Sequence, residues 1–277
     1  THNSSSAASD VYKRQVVDAA LLVQRTAEGD PLSYERIRMA KRGAGALGDS
    51  RLIPGIILDQ RVALDRQARN LEQVKVAVLT RPLALQKGVR ETEIEVNDVD
   101  QLESFMAAED ALLDAHAQAV LASGARLIVC AKEVEPRVLH RLVDAGCVVL
   151  ADVERDGAED LAEVTGATLC EHLDDLTGES LGSLDRFSVE TLEGDEGRRE
   201  RLIFEHANSR LACIDVGGSA GTATEEVIRG LFDALRSVIG AMDSGRLLLD
   251  GGSLHISAAS AVREAAEAAT GRRRLAM

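Results

Sequence analysis

Residues 126–170 read RLIVCAKEVEPRVLHRLVDAGCVVLADVERDGAEDLAEVTGATLC and decide the predicted fold. Short aliphatic runs, typical of buried strands, alternate here with segments whose apolar residues recur at helical spacing. The predicted strands cover residues 126–130, 147–150 and 167–170, and the predicted helices cover residues 136–145 and 157–165. Strands that alternate with helices form parallel sheets through right-handed crossovers. The sequence therefore predicts an α/β domain built on a parallel sheet.

A long helix and two strands are predicted ahead of this stretch. The strands cover residues 52–58, with a turn inside, and residues 74–79. The helix covers residues 99–121 and carries an apolar stripe at helical spacing. The stripe consists of Leu102, Phe105, Met106, Leu112, Leu113 and Val120. Such a stripe packs into a core or against another helix, and exposed at a tip it would bind apolar segments of other proteins.

Two glycine pairs interrupt the chain after the α/β stretch. The predicted order is strand 201–204, a turn at Asn208, strand 211–214, Gly217-Gly218, helix 224–242, Gly251-Gly252 and helix 257–269. A glycine-rich turn before a helix cradles phosphate in some proteins and is an ordinary tight turn in many others. Neither pair fits the GxxxxGK[ST] or GxGxxG pattern. The residues alone therefore favour a tight turn at both places.

Asp233 stands in an otherwise apolar helical segment, Gly230-Leu-Phe-Asp-Ala-Leu235. Asp has a poor intrinsic propensity for the interior of a helix. A carboxylate at this position lies on a solvated helix face or serves a catalytic purpose, and the residues alone favour the solvated face.

An excess of acidic residues restricts the class of partner. The chain has 46 Asp and Glu residues against 32 Lys and Arg residues, a net charge of −14, so nucleic acid and anionic membranes would repel it. Aromatic residues make up 2%, which nearly excludes base stacking. Most basic residues are arginines, and an acidic, lysine-poor surface suggests a halophilic protein whose stability rises with salt. No apolar run approaches the ~20 residues of a membrane span, and no signal segment is visible, so we expect a cytoplasmic protein.

The cysteines and histidines form no recognisable metal-binding pattern. The four cysteines are Cys130, Cys147, Cys170 and Cys213, and none belongs to a CxxC pair. The six histidines are scattered, and no HExxH occurs. The pattern favours buried, reduced cysteines, and we predict no metal site.

Several segments, taken in order, resemble a group II chaperonin subunit of the archaeal thermosome and eukaryotic cytosolic type, with a haloarchaeal-like composition. They are RLIPGIILD (51–59), VKVAVLTRPL (74–83), LESFMAAED (102–110), SGARLIVCAK (123–132), EVTGA (163–167) and LDDLT (173–177). The resemblance covers nearly everything after residue 15.

The resemblance implies a division into domains. The implied fold class is α/β, with a chaperonin apical domain inserted in a split α+β intermediate domain and the start of an all-α equatorial segment. Independently of the resemblance, the polar, low-complexity composition of residues 1–9 predicts a disordered or artefactual tail, which we extend through residue 14. The implied domains are intermediate 15–42, apical 43–205 with a helical protrusion around 88–106, intermediate 206–247 and equatorial 248–277.

The resemblance also implies three sites. Asp233 would be the catalytic carboxylate that positions the water attacking the γ-phosphate of ATP, because residues 228–236 are similar to the family's hinge helix. Gly251 and Gly252 would belong to a nucleotide-binding loop, where a side chain would obstruct the ligand. Unfolded clients would bind the protrusion and the apolar side of apical helices near Leu139, Leu142 and Val143. ATP and Mg²⁺ would be the cofactors, with ligands largely outside this chain, and the full subunit would assemble into a homo- or hetero-oligomeric double ring.

The chain departs from the family pattern near the nucleotide. Asp250 stands where the family has a glycine, and His255 stands where it usually has Glu. The family's Gly-Asp-Gly-Thr phosphate loop is missing, so we expect either a fragment of a longer subunit or a divergent paralogue that hydrolyses ATP poorly. Two alternatives stay open. One is a nucleotide-independent binding module for unfolded clients, and the other is an α/β enzyme that binds a phosphorylated metabolite at Gly217-Gly218.

Overall fold

The structure, a computed structural model, describes residues 2–26, 32–85, 99–194, 197–218, 221–247 and 252–269. The helices are α1 (His2–Thr26), α2 (Val99–Ala122), α3 (Pro136–Asp144), α4 (Arg155–Thr165), α5 (Thr222–Ser244) and α6 (Ser253–Ala268). The strands are β1 (Ile37–Lys41), β2 (Arg51–Ile53), β3 (Gly55–Leu58), β4 (Asn70–Leu79), β5 (Leu127–Cys130), β6 (Val148–Leu150), β7 (Leu169–Cys170), β8 (Gly182–Gly194), β9 (Gly197–Glu205) and β10 (Ala212–Val216).

The strands form two sheets of different size. The small sheet has the order β1-β10-β2, with β1 parallel and β2 antiparallel to β10. The large sheet has the order β3-β9-β8-β4-β5-β6, and β7 also pairs with β4. Strands β4, β5, β6 and β7 are mutually parallel, as the alternation of strands and helices predicts. Strands β3, β8 and β9 add an antiparallel extension, so the large sheet is mixed.

The chain passes between the two sheets twice. The first crossing is at Pro54, between β2 and β3, and the second is the connection 206–211 between β9 and β10. We call residues 55–205 the large-sheet unit, and we call α1, β1, β2, β10 and α5 the small-sheet unit. Because β2 belongs to the small sheet, the first crossing lies at Pro54 rather than at the predicted boundary, residue 43.

The large-sheet unit buries both faces of its parallel strands. Successive side chains of a strand point to opposite faces. Val76 and Val78 of β4 accordingly join one buried cluster with Leu161 of α4. Ala77 and Leu79 join a second buried cluster, to which α2 and α3 contribute. The unit therefore carries its own hydrophobic core.

The small-sheet unit has a separate core between its sheet and two helices. Val16 and Val23 of α1 and Leu231 and Leu235 of α5 pack against Ile214 of β10. Helix α1 begins at His2, whereas composition predicts a disordered or artefactual tail through residue 14. The Tyr12 hydroxyl donates a hydrogen bond to the carbonyl of Leu47 (2.8 Å), which ties this part of the segment to the unit.

Strand β8 is missing from the sequence prediction. Its segment is rich in glycine and acidic residues, which indicates a loop. The strand forms because its first part pairs with β4, its second part pairs with β9, and it buries Leu184 and Phe187. Residues 195 and 196, between β8 and β9, lie outside the described residues.

Helix α2 has the predicted extent, but its apolar stripe divides into two parts. Leu113 and Val120 are buried in the core. Phe105, Met106 and Leu112 are about half exposed, at 45%, 56% and 50%. At 100° per residue, Phe105 and Leu112 lie some 80° away from Leu113 and Val120, so the side of the helix that faces the core does not include them. Met106 lies on the same side as Leu113 but about two turns nearer to the start of the helix. The side chain of Leu102 and most of the predicted protrusion, 88–106, lie outside the described residues.

In the part of the chain that the structure describes, no helix is both long and apolar enough to cross a membrane.

Candidate functional site

Helix α5 holds Asp233 on its outer face. Leu231, Leu235 and Ile239 recur at intervals of four and are buried against the small sheet, which fixes the orientation of the helix. Asp233 lies on the opposite side and is exposed. Its backbone carbonyl accepts a hydrogen bond from the Ser237 hydroxyl (2.9 Å), and its carboxylate forms no hydrogen bond or ion pair with the described residues. The structure therefore presents a carboxylate in a defined place with both oxygens available.

The backbone amides at the turn Gly217-Gly218 form hydrogen bonds with another segment of the chain. The Gly217 N–H donates to Ser50 Oγ (2.8 Å), and the Gly218 N–H donates to the carbonyl of Ala44 (3.3 Å). A Cβ atom at Gly217 would lie 2.3 Å from the carbonyl oxygen of Ala46. Because these amides already have acceptors, they are not free to cradle a phosphate. The turn gives no support to the phosphorylated-metabolite alternative.

Gly252 is the described residue that immediately precedes α6. Gly252 is exposed, has a φ of +77°, and has no atom within 4 Å of the position of a Cβ. Gly251 lies outside the described residues. Helix α6 has no buried residue, and among the described residues no hydrogen bond or ion pair joins Gly252 to Asp233. Of the glycine match implied by the resemblance, the structure therefore describes Gly252 alone, and this residue is exposed.

The apolar residues of α3 lie in the core rather than on the predicted client-binding surface. Leu142 is fully buried and Val143 is 9% exposed, and both belong to the cluster beneath α2 and α3. Leu139 is half-buried against the same cluster. Helix α3 is strongly amphipathic, so its apolar side turns toward β5 and β6 and leaves charged residues outside. Two of these, Arg137 and Arg141, form ion pairs with acidic side chains of α2.

A buried ion pair joins the two sheets, and the sequence analysis overlooked it. Asp215 of β10 and Arg201 of β9 both have fully buried side chains, with Arg201 Nη2 2.8 Å from Asp215 Oδ1. The contact is an ion pair without hydrogen-bond alignment. The missed signal was a charged residue inside each apolar strand, ACIDV and RLIF, because a charge in a buried strand requires a partner.

The described residues contain no group of three or more His, Cys, Asp or Glu side chains placed to hold a metal ion. All four cysteines are buried and unpaired, as the sequence predicts. Burial raises the pKa of the Cys213 thiol to about 12, and it raises the pKa of the Cys130 and Cys147 thiols. These thiols stay protonated near neutral pH and are poor nucleophiles.

Known proteins of similar sequence and structure are chaperonins. The model of the TCP-1/cpn60 chaperonin family matches residues 2–277. Thermosome subunit beta of Desulfurococcus mucosus is 29% identical over 257 residues, which is 92% of this chain and 50% of that protein. Thermosome subunit 3 of Haloferax volcanii is 29% identical over 270 residues, which is 97% of this chain and 50% of that protein.

A solved structure shares the fold. The open-state monomer of a group II chaperonin from Methanococcoides burtonii superposes with a TM-score of 0.59 at 24% sequence identity, and the match covers 87% of this chain and 53% of that chain. This likeness confirms the predicted α/β fold class. The chain spans about half the length of the relatives it matches.

Proposed function

Because this chain belongs to the TCP-1/cpn60 chaperonin family, we propose that it works in a protein-folding subunit that couples ATP hydrolysis to closure of a lid over unfolded clients. The thermosome relatives support a chaperonin function in general. In the proposed assembly, copies of the subunit, alone or mixed with related subunits, form a double ring in the cytoplasm. ATP and Mg²⁺ are held largely by residues outside this chain.

The placement of Asp233 is the observation on which the proposal rests. Three buried side chains anchor its helix, so the backbone of Asp233 has a fixed position. No described residue forms a hydrogen bond or ion pair with the carboxylate oxygens. Such a carboxylate accepts a hydrogen bond from a water molecule and orients it for in-line attack. Bound Mg-ATP supplies the phosphoryl group and the charge neutralisation for its transfer. Positioning of the water by Asp233 then makes hydrolysis depend on where α5 lies.

We place the client-binding surface on the projecting end of α2 rather than on α3. Phe105, Met106 and Leu112 expose about half of their side chains. Exposed Met and Phe side chains adapt to apolar segments of varied shape. The apolar residues of α3, in contrast, are occupied by core packing.

The alternative is a binding module for unfolded clients that does not use nucleotide. The substitutions Asp250 and His255 favour it, because they alter the segment around Gly251 and Gly252 relative to the family. On this alternative α2 still binds clients, and Asp233 is only part of a solvated helix face.

The experiment that tests the proposal measures ATP turnover by the full-length subunit and its Asp233→Ala variant. Loss of a positioned acid–base group lowers rates by about 10²- to 10⁴-fold, and we expect a decrease in that range. Asp243→Ala is the matched control, because it removes an exposed carboxylate from the same helix. Unchanged turnover in Asp233→Ala, or an equal loss in Asp243→Ala, would contradict the catalytic assignment. Client binding without measurable turnover in any form would establish the alternative.

A further inference from the structure

Two groups of ion pairs connect the large-sheet unit to the small-sheet unit. The small sheet packs one face on α1 and α5 and turns its other face toward the large-sheet unit. In the strand register Arg38 lies beside Cys213, and Ala40 lies beside Asp215, so these side chains share that second face. One group of ion pairs lies near the start of β1, and the other lies near its end.

The group near the end of β1 has a fully buried centre, Asp215 and Arg201, with a partly exposed rim around it. Asp215 is close to three guanidinium groups, those of Arg201 (2.8 Å), Arg51 (3.3 Å) and Arg42 (3.8 Å). Glu190 of β8 accepts hydrogen bonds from Arg42 (2.6 Å) and Arg51 (2.8 Å). Loss of one member of such a group would leave a buried charge uncompensated, which is strongly unfavourable. We call these five residues the pivot, because they hold the two units together beside both crossings.

The group near the start of β1 is exposed to solvent. Arg38 donates to both carboxylate oxygens of Asp160 in α4, with Nε–Oδ2 at 3.0 Å and Nη2–Oδ1 at 2.7 Å. The Arg38 side chain is nevertheless 48% exposed. Arg36 lies 3.8 Å from Glu163 of the same helix. We call Arg36, Arg38, Asp160 and Glu163 the latch. Because each pair of the latch reaches solvent and the pair of Asp215 and Arg201 does not, salt screens the latch more than it screens the centre of the pivot.

Little apolar contact lies between the pivot and the latch. The buried cluster at this interface consists of Ile53, Ile203 and Cys213, with Ala40 and Ile57 partly buried beside it. Each unit has a much larger core of its own. Two units that keep their own cores and share a small interface are able to tilt against each other as rigid bodies. The orientation is then set by the contacts at the edge of that interface.

We propose that the latch sets the tilt between the two units and that it opens with increasing ionic strength, whereas the pivot persists. Opening separates α4 from the start of β1 and leaves Asp215 and Arg201 paired. Exposed pairs of this kind shift an equilibrium by about two- to five-fold each. The proposal goes beyond the proposed function, and it holds whether or not the chain takes part in ATP hydrolysis.

The test measures the distance between the units by double electron–electron resonance. Spin labels are attached at Glu179→Cys in the large-sheet unit and Asp243→Cys in the small-sheet unit, both exposed sites. The four native cysteines are buried and leave the introduced thiols as the reactive ones. At low salt we expect the Asp160→Asn/Glu163→Gln variant, which removes both pairs, to raise the ratio of a second distance to the first by about four- to 25-fold over the unsubstituted chain. Molar KCl is expected to shift the unsubstituted chain in the same direction and to change the variant little.

Two further variants test whether the change in distance comes from the latch. Glu159→Gln removes a charge from α4 that pairs with Arg155 of the same helix, and it is expected to leave the distances unchanged. The exchange Arg38→Asp with Asp160→Arg is expected to restore the original distribution, which shows that the substituted chains remain folded. The proposal is overturned if Asp160→Asn/Glu163→Gln matches the unsubstituted chain, if Glu159→Gln acts equally, or if the exchange does not restore the distances. Because the readout is a distance, these outcomes are independent of the turnover of Asp233→Ala.

Discussion

The turn at Gly217-Gly218 is closed by a distant part of the chain, whereas the turn at Gly252 opens onto solvent. Both turns precede a helix, α5 in one case and α6 in the other. At the first turn, both amides donate to the segment that contains Ala44 and Ser50. At the second, no atom lies within 4 Å of the position of a Cβ.

The difference shows that a glycine pair serves two unrelated physical needs. Gly217 is required because the backbone of another segment approaches within the radius of a methyl group. Gly252 is required only by its left-handed backbone, and the space beside it is free. A ligand has access to the second turn and not to the first. The nucleotide proposal therefore concerns Gly251-Gly252, and the phosphate alternative at Gly217-Gly218 has no open amides to use.

Among substitutions at these two turns, Gly217→Ala is expected to lower the unfolding free energy most. The added methyl group would meet the Ala46 carbonyl oxygen at 2.3 Å, and both groups belong to the backbone, so neither has a flexible end that can move away. Overpacking of this kind costs about 1–3 kcal/mol of unfolding free energy. Urea denaturation of both forms measures the loss.

Gly240→Ala is the matched control for this substitution. Gly240 lies inside α5, and no atom lies within 4 Å of its Cβ position. Alanine in an open helical position stabilises by roughly 0.5–1 kcal/mol, so the control is expected to change stability with the opposite sign. If Gly217→Ala were as stable as the unsubstituted chain, the turn would not be closed as described.

Local pattern was sufficient to predict most elements of the large sheet. The run LIVC of β5 and the apolar spacing of α3 and α4 place those elements within about two residues of the structure, because burial imposes their periodicity. Strand β8 could not be predicted in this way. Its segment becomes a strand because β4 on one side and β9 on the other supply the partner hydrogen bonds.

The site was less predictable because its properties depend on distant segments. The acceptor for Gly217 is Ser50, which is 167 residues earlier in the chain, so nothing next to Gly217 indicates that its turn is closed. The role of Asp233 came from resemblance, since its own neighbours indicate only a solvated face. Leu142 and Val143, to which the resemblance assigns client binding, are buried, because an amphipathic helix that covers a sheet turns its apolar side inward. Phe105 and Met106, which the sequence did single out, are the exposed ones.

A smaller effect is expected for Gly252→Ala. The space beside Gly252 is open, so the substitution costs only the strain of a left-handed alanine, about 1–2 kcal/mol. Because α6 buries no residue, this cost falls on the helix itself, and the global unfolding free energy should stay within about 0.5 kcal/mol. Hydrogen exchange should show faster exchange of the first amides of α6. Gly252→Asn is the control, since Asn tolerates the left-handed region, and it should exchange almost as slowly as the unsubstituted chain.

The smallest effect concerns Tyr12, which ties α1 to the segment that closes the first turn. Its hydroxyl donates to the Leu47 carbonyl, which also accepts from Ser50 Oγ (2.7 Å). Tyr12→Phe therefore leaves that carbonyl with a partner and costs only about 0.5 kcal/mol at neutral pH.

Partial burial raises the pKa of the Tyr12 phenol above its ordinary value of 10.0, and the hydrogen bond with Ser50 opposes this effect more weakly. Above pH 10 the unfolded chain therefore loses this proton before the folded chain does, and the stability that Tyr12 contributes is lost as the pH rises through its folded pKa. Tyr12→Phe should make the decline of the unfolding free energy between about pH 9 and pH 11 less steep, as measured by urea denaturation across that range. Tyr34→Phe, which leaves the Leu47 hydrogen bond in place, is the control and should keep the full decline. An equal slope in the unsubstituted chain and in Tyr12→Phe would mean that α1 does not hold the closed turn through this phenol.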